Sequence, residues 1–84
     1  MTKKAYDWYE EQKHGLGETF LKELNTCYRK LETHPDHYGK IKKNFRQLAV
    51  KRFPFVVVYE IYKREVIVFA VFHTRRNPRH KTKD

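Results

Sequence analysis

The chain has 84 residues, of which 39% are hydrophobic and one is a cysteine, and its formal net charge is +9. We therefore expect one domain over residues 1–84 with a small core and neither a disulfide nor a cysteine metal cluster. No apolar run approaches the ~20 residues of a membrane-spanning helix, and no apolar signal segment follows Met1, which favours a cytoplasmic protein. The positive charge favours an acidic partner, such as nucleic acid or an acidic protein.

The first part of the chain has the apolar spacing of two helices. The first is predicted from Ala5 to Lys13, and the glycines of His14 to Gly17 predict a turn after it. The second is predicted from about Glu18 to Thr33, because Pro35 disfavours helical backbone in the residue before it. Its apolar stripe consists of Phe20, Leu24, Cys27 and Leu31. Two helices joined by so short a turn predict an αα-hairpin.

The second part has the composition of β-strands. After a polar loop, a first strand is predicted from about Asn44 to Lys51. Two apolar runs follow, from Phe55 to Ile61 and from Val66 to Phe72. Both are apolar on two faces, so we expect both strands in the middle of a sheet with both faces covered. The turn at Lys63-Arg64 lacks the Asn-Gly signature, which predicts a longer loop built on a type I turn.

This order of elements predicts an α+β fold, with the αα-hairpin packed on an antiparallel sheet of at least three strands. Residues 76–84 are rich in cations and are expected to form a flexible basic tail.

Short segments along the chain carry a family resemblance. They are Trp8-Tyr9-Glu10-Glu11-Gln12, Gly15-Leu16-Gly17 with Phe20, His34-Pro35, Arg46, Phe53-Pro54-Phe55, Tyr59, and Val71 to Pro78. In this order they resemble the RelE/ParE superfamily of bacterial toxins, and within it the ParE-like branch labelled plasmid stabilisation proteins. The resemblance covers nearly the whole chain. It implies the toxin half of a type II toxin–antitoxin pair, neutralised by a small antitoxin and needing no cofactor.

The sequence departs from the family pattern in two ways. Members of the superfamily usually open with a β-strand before the first helix, whereas this sequence begins inside that helix. We therefore expect an unpaired sheet edge, open to strand addition by a partner or by a second copy. RNA-cleaving members also tend to carry an arginine early in the strand that here reads Phe55 to Tyr59, and a tyrosine or histidine near the C-terminus. This chain has valine in the first place and no tyrosine after Tyr62, although His73 and His80 are present.

These departures lower the expectation of ribonuclease activity and leave the gyrase-directed activity of ParE-like members open. Our first hypothesis is a ParE-like toxin whose basic face blocks an essential target such as DNA gyrase. The first alternative is a RelE-like, ribosome-dependent mRNA endoribonuclease. The second is a degenerate, non-toxic homologue that only binds an antitoxin.

Cations at the end of the last strand are the main candidates for a site. RNA cleavage would need a base, an acid and cations around the phosphate, and His73, Arg75 and Arg76 have the chemistry for these roles. The alternative to a functional site is an ordinary solvated strand end. If the cations are functional, we favour a role in binding over a role in catalysis. Arg46, which matches the family pattern, and Lys81 complete the predicted set for binding a target or nucleic acid. Arg52 is assigned to ordinary surface charge.

The remaining special residues are predicted to have structural roles. Trp8, Tyr9, Phe20 and Leu24 have helical spacing and are expected in the core. His34 and His37 are three residues apart, but Pro35 prevents the helical alignment that a metal site would need, so we expect no metal. Cys27 lies in the apolar stripe and is expected to be unreactive.

Overall fold

The computed structural model describes residues 2–75. Met1 and the predicted tail, including Arg76 and Lys81, lie outside these residues. The elements, in chain order, are helices α1 (Thr2–Gln12) and α2 (Leu16–Thr33), a short 3-10 turn (Pro35–His37), and strands β1 (Lys40–Lys42), β2 (Phe45–Ala49), β3 (Phe55–Tyr62) and β4 (Glu65–His73). The predicted α+β fold is confirmed. Neither helix in this part of the chain is long and apolar enough to cross a membrane.

The four strands form one antiparallel sheet in the order β1-β2-β3-β4. β3 lies in the middle, with Arg46 of β2 opposite Tyr59 and His73 of β4 opposite Phe55. β1 and β4 are therefore the two edges of the sheet. β1 was not predicted, because its three residues are all exposed and lie in a segment that has no strand pattern of its own.

The core lies on one face of the sheet. The stripe of α2 packs against alternate residues of β3, and Phe20, Val57 and Tyr59 have 0% exposure. α1 packs on α2 and contributes partly buried side chains, including Tyr9. Trp8 was predicted in the core but is 48% exposed, because α1 packs on α2 from outside and has no buried residue. We call the other side of the sheet the open face; its larger apolar residues are Phe45, Val56, Val58, Ile67, Phe69 and Phe72.

The expectation that both apolar runs are covered on two faces is wrong for β4. Ile67 is 43% exposed and Phe69 is 64% exposed. No helix of residues 2–75 covers the open face, and β4 pairs with β3 alone. The apolar composition of the strand correctly indicated its conformation, but it did not indicate how many layers cover it.

A β-bulge interrupts β4 near its middle. The register places Val58 opposite Ala70 and Tyr59 opposite Val68, so Phe69 is the extra residue. A bulge redirects a side chain, and here the Phe69 ring reaches across β3 to Phe45, with ring centroids 5.2 Å apart. Val58, on the same face, is only 4% exposed. The open face thus has a small apolar cluster of its own.

The turn between β3 and β4 has two residues, Lys63 and Arg64, with φ of 50° and 70°. Positive φ at both central positions is typical of a type I′ turn, whose twist matches that of the flanking strands. The predicted longer type I loop is therefore wrong. The twist of the strand pair imposes the tight turn even though neither residue is glycine or asparagine.

A carboxylate fixes the helical hairpin. Glu10 accepts hydrogen bonds from the backbone N–H groups of Gly15 and Gly17, at 2.9 and 2.8 Å. These bonds, that of Gly15 first, lower the pKa of Glu10. Gly17 lies so close to α1 that an added Cβ would be 2.8 Å from the carbonyl oxygen of Tyr6. The glycines of this turn therefore allow α1 to pack tightly against α2.

Candidate target-binding end of the sheet

Two chain segments meet at one end of the sheet and bring cations together. The backbone N–H of Thr74, just after β4, donates to the carbonyl of Pro54 at 2.8 Å. Pro54 belongs to the loop between β2 and β3, so this hydrogen bond joins that loop to the end of β4. We call the polar and charged residues carried there the basic end; they are Lys51, Arg52, His73 and Arg75.

Arg52 occupies a strained backbone position in the basic end. Its φ is 73°, in the left-handed region, which costs a residue with a Cβ about 1–2 kcal/mol. The loop is closed on both sides of it, since the N–H of Val50 donates to Phe55 at 2.9 Å and the N–H of Phe53 donates to Val50 at 3.3 Å. Glycine would fit this position without strain. The chain instead carries an exposed cation here.

His73 shapes the turn that presents Arg75. Its half-buried ring packs edge-on against Phe55, with centroids 5.0 Å apart. Its Nδ1 accepts a hydrogen bond from the backbone N–H of Arg75 at 3.1 Å. A nitrogen that accepts cannot also carry the proton, so Nε2 holds it in the neutral ring. Arg75 itself is exposed.

Arg46 is not brought into the basic end. Its partner Tyr59 is four residues along β3 from Phe55, the partner of His73, which is roughly 13 Å at the usual rise of a strand. Its guanidinium donates to the carbonyl of Tyr38 at 2.6 Å and to that of Asp36 at 3.3 Å. Arg46 therefore holds the segment after α2 against the sheet. Its role in binding stays a prediction, as do those of Arg76 and Lys81.

Further cations lie at the opposite end of the sheet, which we call the turn end. They are Lys42, Lys43, Lys63 and Arg64. Three of them have positive φ, and Arg52 is the fourth such residue; thus every non-glycine residue with positive φ between residues 2 and 75 is lysine or arginine. Strained backbone is often found where function needs a particular side chain. The described residues thus place cations at both ends of the sheet.

The sequence did not indicate that Lys51 and Arg52 lie at the same end of the sheet as His73 and Arg75. Arg52 was interpreted as ordinary surface charge, since nothing in the local sequence marks a left-handed residue beside another strand end. The sequence feature that could have indicated this is Phe53-Pro54. A proline directly before β3 restricts the loop and keeps it close to the strand that pairs with β3.

Cys27, His34 and His37 lie outside the basic end. Cys27 is 3% exposed, and its burial raises the pKa of the thiol, so little reactive thiolate forms. The rings of His34 and His37 stack, with centroids 4.5 Å apart. Among residues 2–75, no three histidine, cysteine or acidic side chains are grouped as metal ligands.

Among residues 2–75, the basic end supplies cations that can bind an anion, together with one imidazole. Cleavage of RNA needs a base and an acid on either side of the reacting phosphate. The basic end has one imidazole, one of whose nitrogens already accepts a backbone hydrogen bond. On the open face, β3 and β4 present Val56, Val58 and Phe72 and, farther along β3, the carboxylate of Glu60. Cations that bind phosphate or carboxylate groups are what the described residues supply.

A helical hairpin on one face of an antiparallel sheet, with cations at the strand ends, defines a small basic α+β protein. Over residues 2–78 the chain matches the family described as ParE toxin of the type II toxin–antitoxin system parDE. The chain belongs to this family, which confirms the resemblance seen in the sequence. Membership supports a toxin–antitoxin role and implies an antitoxin partner. No curated protein and no solved structure matches the chain.

Proposed function

We propose that the chain is a cytoplasmic toxin that inhibits DNA gyrase by binding it through the basic end, and that an antitoxin neutralises it. The observation that carries this proposal is the position of Arg52, at φ 73°, in the loop that the Thr74–Pro54 hydrogen bond joins to the end of β4, which carries His73 and Arg75. A cation at a backbone position that favours glycine is consistent with use of the charge itself. Family membership supplies the toxin–antitoxin context.

Electrostatics support binding as the mode of action. A net charge of +9 attracts acidic surfaces over several ångströms and speeds the encounter with them. At closer range, exposed arginines form charge-assisted hydrogen bonds with carboxylates and phosphates. Gyrase at work on DNA offers both groups. The toxin then needs only to occupy the surface, without any chemical step.

Labelling of DNA and protein synthesis during induced expression in a bacterium tests this proposal. We expect DNA synthesis to stop first. Arg52→Gly should relieve this arrest although it also removes backbone strain, so loss of folding cannot explain the relief. Lys43→Gly is the matched control, because it removes one cation and one positive φ, 54°, at the turn end. It should leave the arrest intact.

Other outcomes would overturn the proposal in distinct ways. If protein synthesis stops first, and His73→Ala abolishes this effect, the chain is a ribonuclease and His73 is catalytic. If both glycine variants relieve the arrest equally, the action does not depend on the basic end. If a folded, soluble product causes no arrest, the chain is a non-toxic homologue.

A further inference from the structure

A row of aromatic rings connects α1 with the basic end. The ring of Tyr9 packs against Phe53, with centroids 4.9 Å apart, and against Phe55 at 6.4 Å. Phe53 directly follows Arg52 in the chain, and Phe55 packs against the histidine of the basic end at 5.0 Å. Trp8 extends the row beyond Tyr9, at 5.2 Å. Only the Tyr9 ring therefore separates the indole of Trp8 from the loop that carries Arg52.

The indole of Trp8 presents a broad aromatic face to solvent. Its plane is at 83° to that of Tyr9, and such a perpendicular contact covers at most one of the two faces of the indole. The residue is 48% exposed, since neighbouring positions of a helix diverge by about 100° and Tyr9 takes the inner side. A single exposed apolar residue is ordinary on a protein surface. The informative feature is that this one lies beside the basic end.

The cations of the basic end are available to an anionic ligand. Lys51, Arg52 and Arg75 are exposed, and none of them forms an ion pair within residues 2–75. The two segments that carry them, residues 50–55 and 73–75, contain no acidic residue. Around Trp8 itself, the exposed Lys4 and Glu11 lie about one turn away on either side and offset each other. The net charge of this surface is therefore positive.

The turn end lacks this combination. Its exposed ring is Tyr62, which is 55% exposed, but the Nζ of Lys63 lies 5.4 Å from the ring centroid and occupies one face. Glu65 lies directly opposite Tyr62, and Glu60 precedes it by two residues on the same face of the sheet. Carboxylates beside the ring would repel a phosphate. Tyr62 is thus a natural control for Trp8.

We propose that Trp8 and the basic end together bind a single-stranded nucleic acid. One base stacks on the indole of Trp8, and neighbouring phosphates contact Lys51, Arg52 and Arg75. An aromatic face beside exposed cations is the composition by which proteins bind single strands. Every nucleotide of an unpaired strand supplies both a flat ring and an anion, whereas an acidic protein segment supplies both only with a particular sequence. The inference goes beyond the proposed function, because it concerns contact with a nucleic acid strand and not with gyrase.

The fluorescence of the chain tests this contact directly, because Trp8 is its only tryptophan. The purified chain is titrated with an oligothymidylate of about ten nucleotides, which is within the usual range of single-strand site sizes. A base stacked on the indole quenches its emission, so we expect saturable quenching. A strand of abasic sites keeps the phosphates, and a duplex keeps its bases stacked on each other; neither should quench comparably. An oligouridylate distinguishes DNA from RNA, and either strand fulfils the inference.

Matched variants separate stacking from charge, with binding followed by the anisotropy of a labelled oligothymidylate. Trp8→Leu keeps an apolar side chain and a good helix former but removes the aromatic face. It should weaken binding about five-fold or more, and Trp8→Phe should restore most of the affinity. Neither should change the salt dependence. Arg52→Gly should instead reduce the slope of log affinity against log salt by about 0.7. Tyr62→Leu, the control at the turn end, should change neither quantity.

Several results would overturn the inference. Absence of quenching, or equal quenching by the abasic strand, would show that no base meets Trp8. Equal losses from Trp8→Leu and Tyr62→Leu would show that binding is not located at the basic end. Stronger binding of an oligoglutamate than of the oligothymidylate would make an acidic protein the partner. Supercoiling by gyrase is measured separately: inhibition without quenching would overturn this inference alone, and quenching without inhibition would overturn the proposed function alone.

Discussion

The turn between β3 and β4 allows a direct test of whether positive φ at residues other than glycine lowers the stability of this fold. Lys63 and Arg64 have φ of 50° and 70°, and each such residue with a Cβ costs about 1–2 kcal/mol. Asn-Gly is the pair that a type I′ turn favours. Relief of this strain would stabilise the fold, but ordering glycine on folding costs about 0.5–1 kcal/mol more than ordering another residue, which offsets part of the effect. We therefore expect Lys63→Asn with Arg64→Gly to stabilise the fold by about 1 kcal/mol.

Thermal unfolding followed by circular dichroism measures this change. For a chain of this size, about 1 kcal/mol raises Tm by roughly 4–8 °C. Lys63→Ala with Arg64→Ala is the control, since it removes the same charges and the same contact of Lys63 with the Tyr62 ring, 5.4 Å from its centroid, but keeps the strain. The alanine pair should give no increase. If the alanine pair stabilises the fold as much as Asn-Gly does, repulsion between the two cations, and not backbone strain, lowers the stability of the turn. That result would refute the strain argument.

Three further substitutions test the packing of the fold by denaturant or thermal unfolding. Gly17→Ala places a Cβ 2.8 Å from the Tyr6 carbonyl oxygen, so we expect a net loss of about 1–2 kcal/mol despite alanine's better helix propensity; no loss would mean that α1 shifts freely. Tyr59→Phe removes the 2.6 Å hydrogen bond to the Pro35 carbonyl and should destabilise by about 1–2 kcal/mol, and an unchanged midpoint would show that water replaces the hydroxyl. The pKa of Glu10 is lowered by folding, so its contribution is present above the ordinary glutamate pKa and is lost as pH falls through the lower folded pKa. Glu10→Gln should therefore reduce the loss of unfolding free energy as the pH is lowered. If the loss is as large as in the unsubstituted chain, other carboxyl groups cause it.

The sequence contained most of the fold because each element carries a strong local pattern. The stripe of Phe20, Leu24, Cys27 and Leu31 follows the helical period, and all four are buried. Strand composition located β2, β3 and β4. The number of layers packed on the sheet could not be predicted from the sequence. An apolar run such as Val66 to Phe72 has the same composition whether its second face is covered by a helix or exposed. Trp8 shows the same limit, since helical spacing selects a face but does not say what lies against it.

The candidate site was only partly predictable, because it depends on contacts between distant segments. His73 and Arg75 stood out at the end of an apolar run, and both are in the basic end. Arg52 joins them through the hydrogen bond between Thr74 and Pro54, which no local pattern encodes. Arg46 matched the family pattern, yet its guanidinium is engaged with backbone carbonyls after α2. The sequence shows which residues carry a positive charge. Which of them lie close together in space depends on how the strands pair.

Inhibition of gyrase by the purified chain tests the central claim most directly. Supercoiling of relaxed plasmid by DNA gyrase is measured with increasing amounts of the chain, beside its Arg52→Gly and Lys43→Gly variants. We expect the chain and Lys43→Gly to inhibit supercoiling at similar concentrations and Arg52→Gly to require at least several-fold more. Full supercoiling in the presence of a folded chain would contradict gyrase as the target, and equal inhibition by all three proteins would contradict the basic end as the surface that binds it.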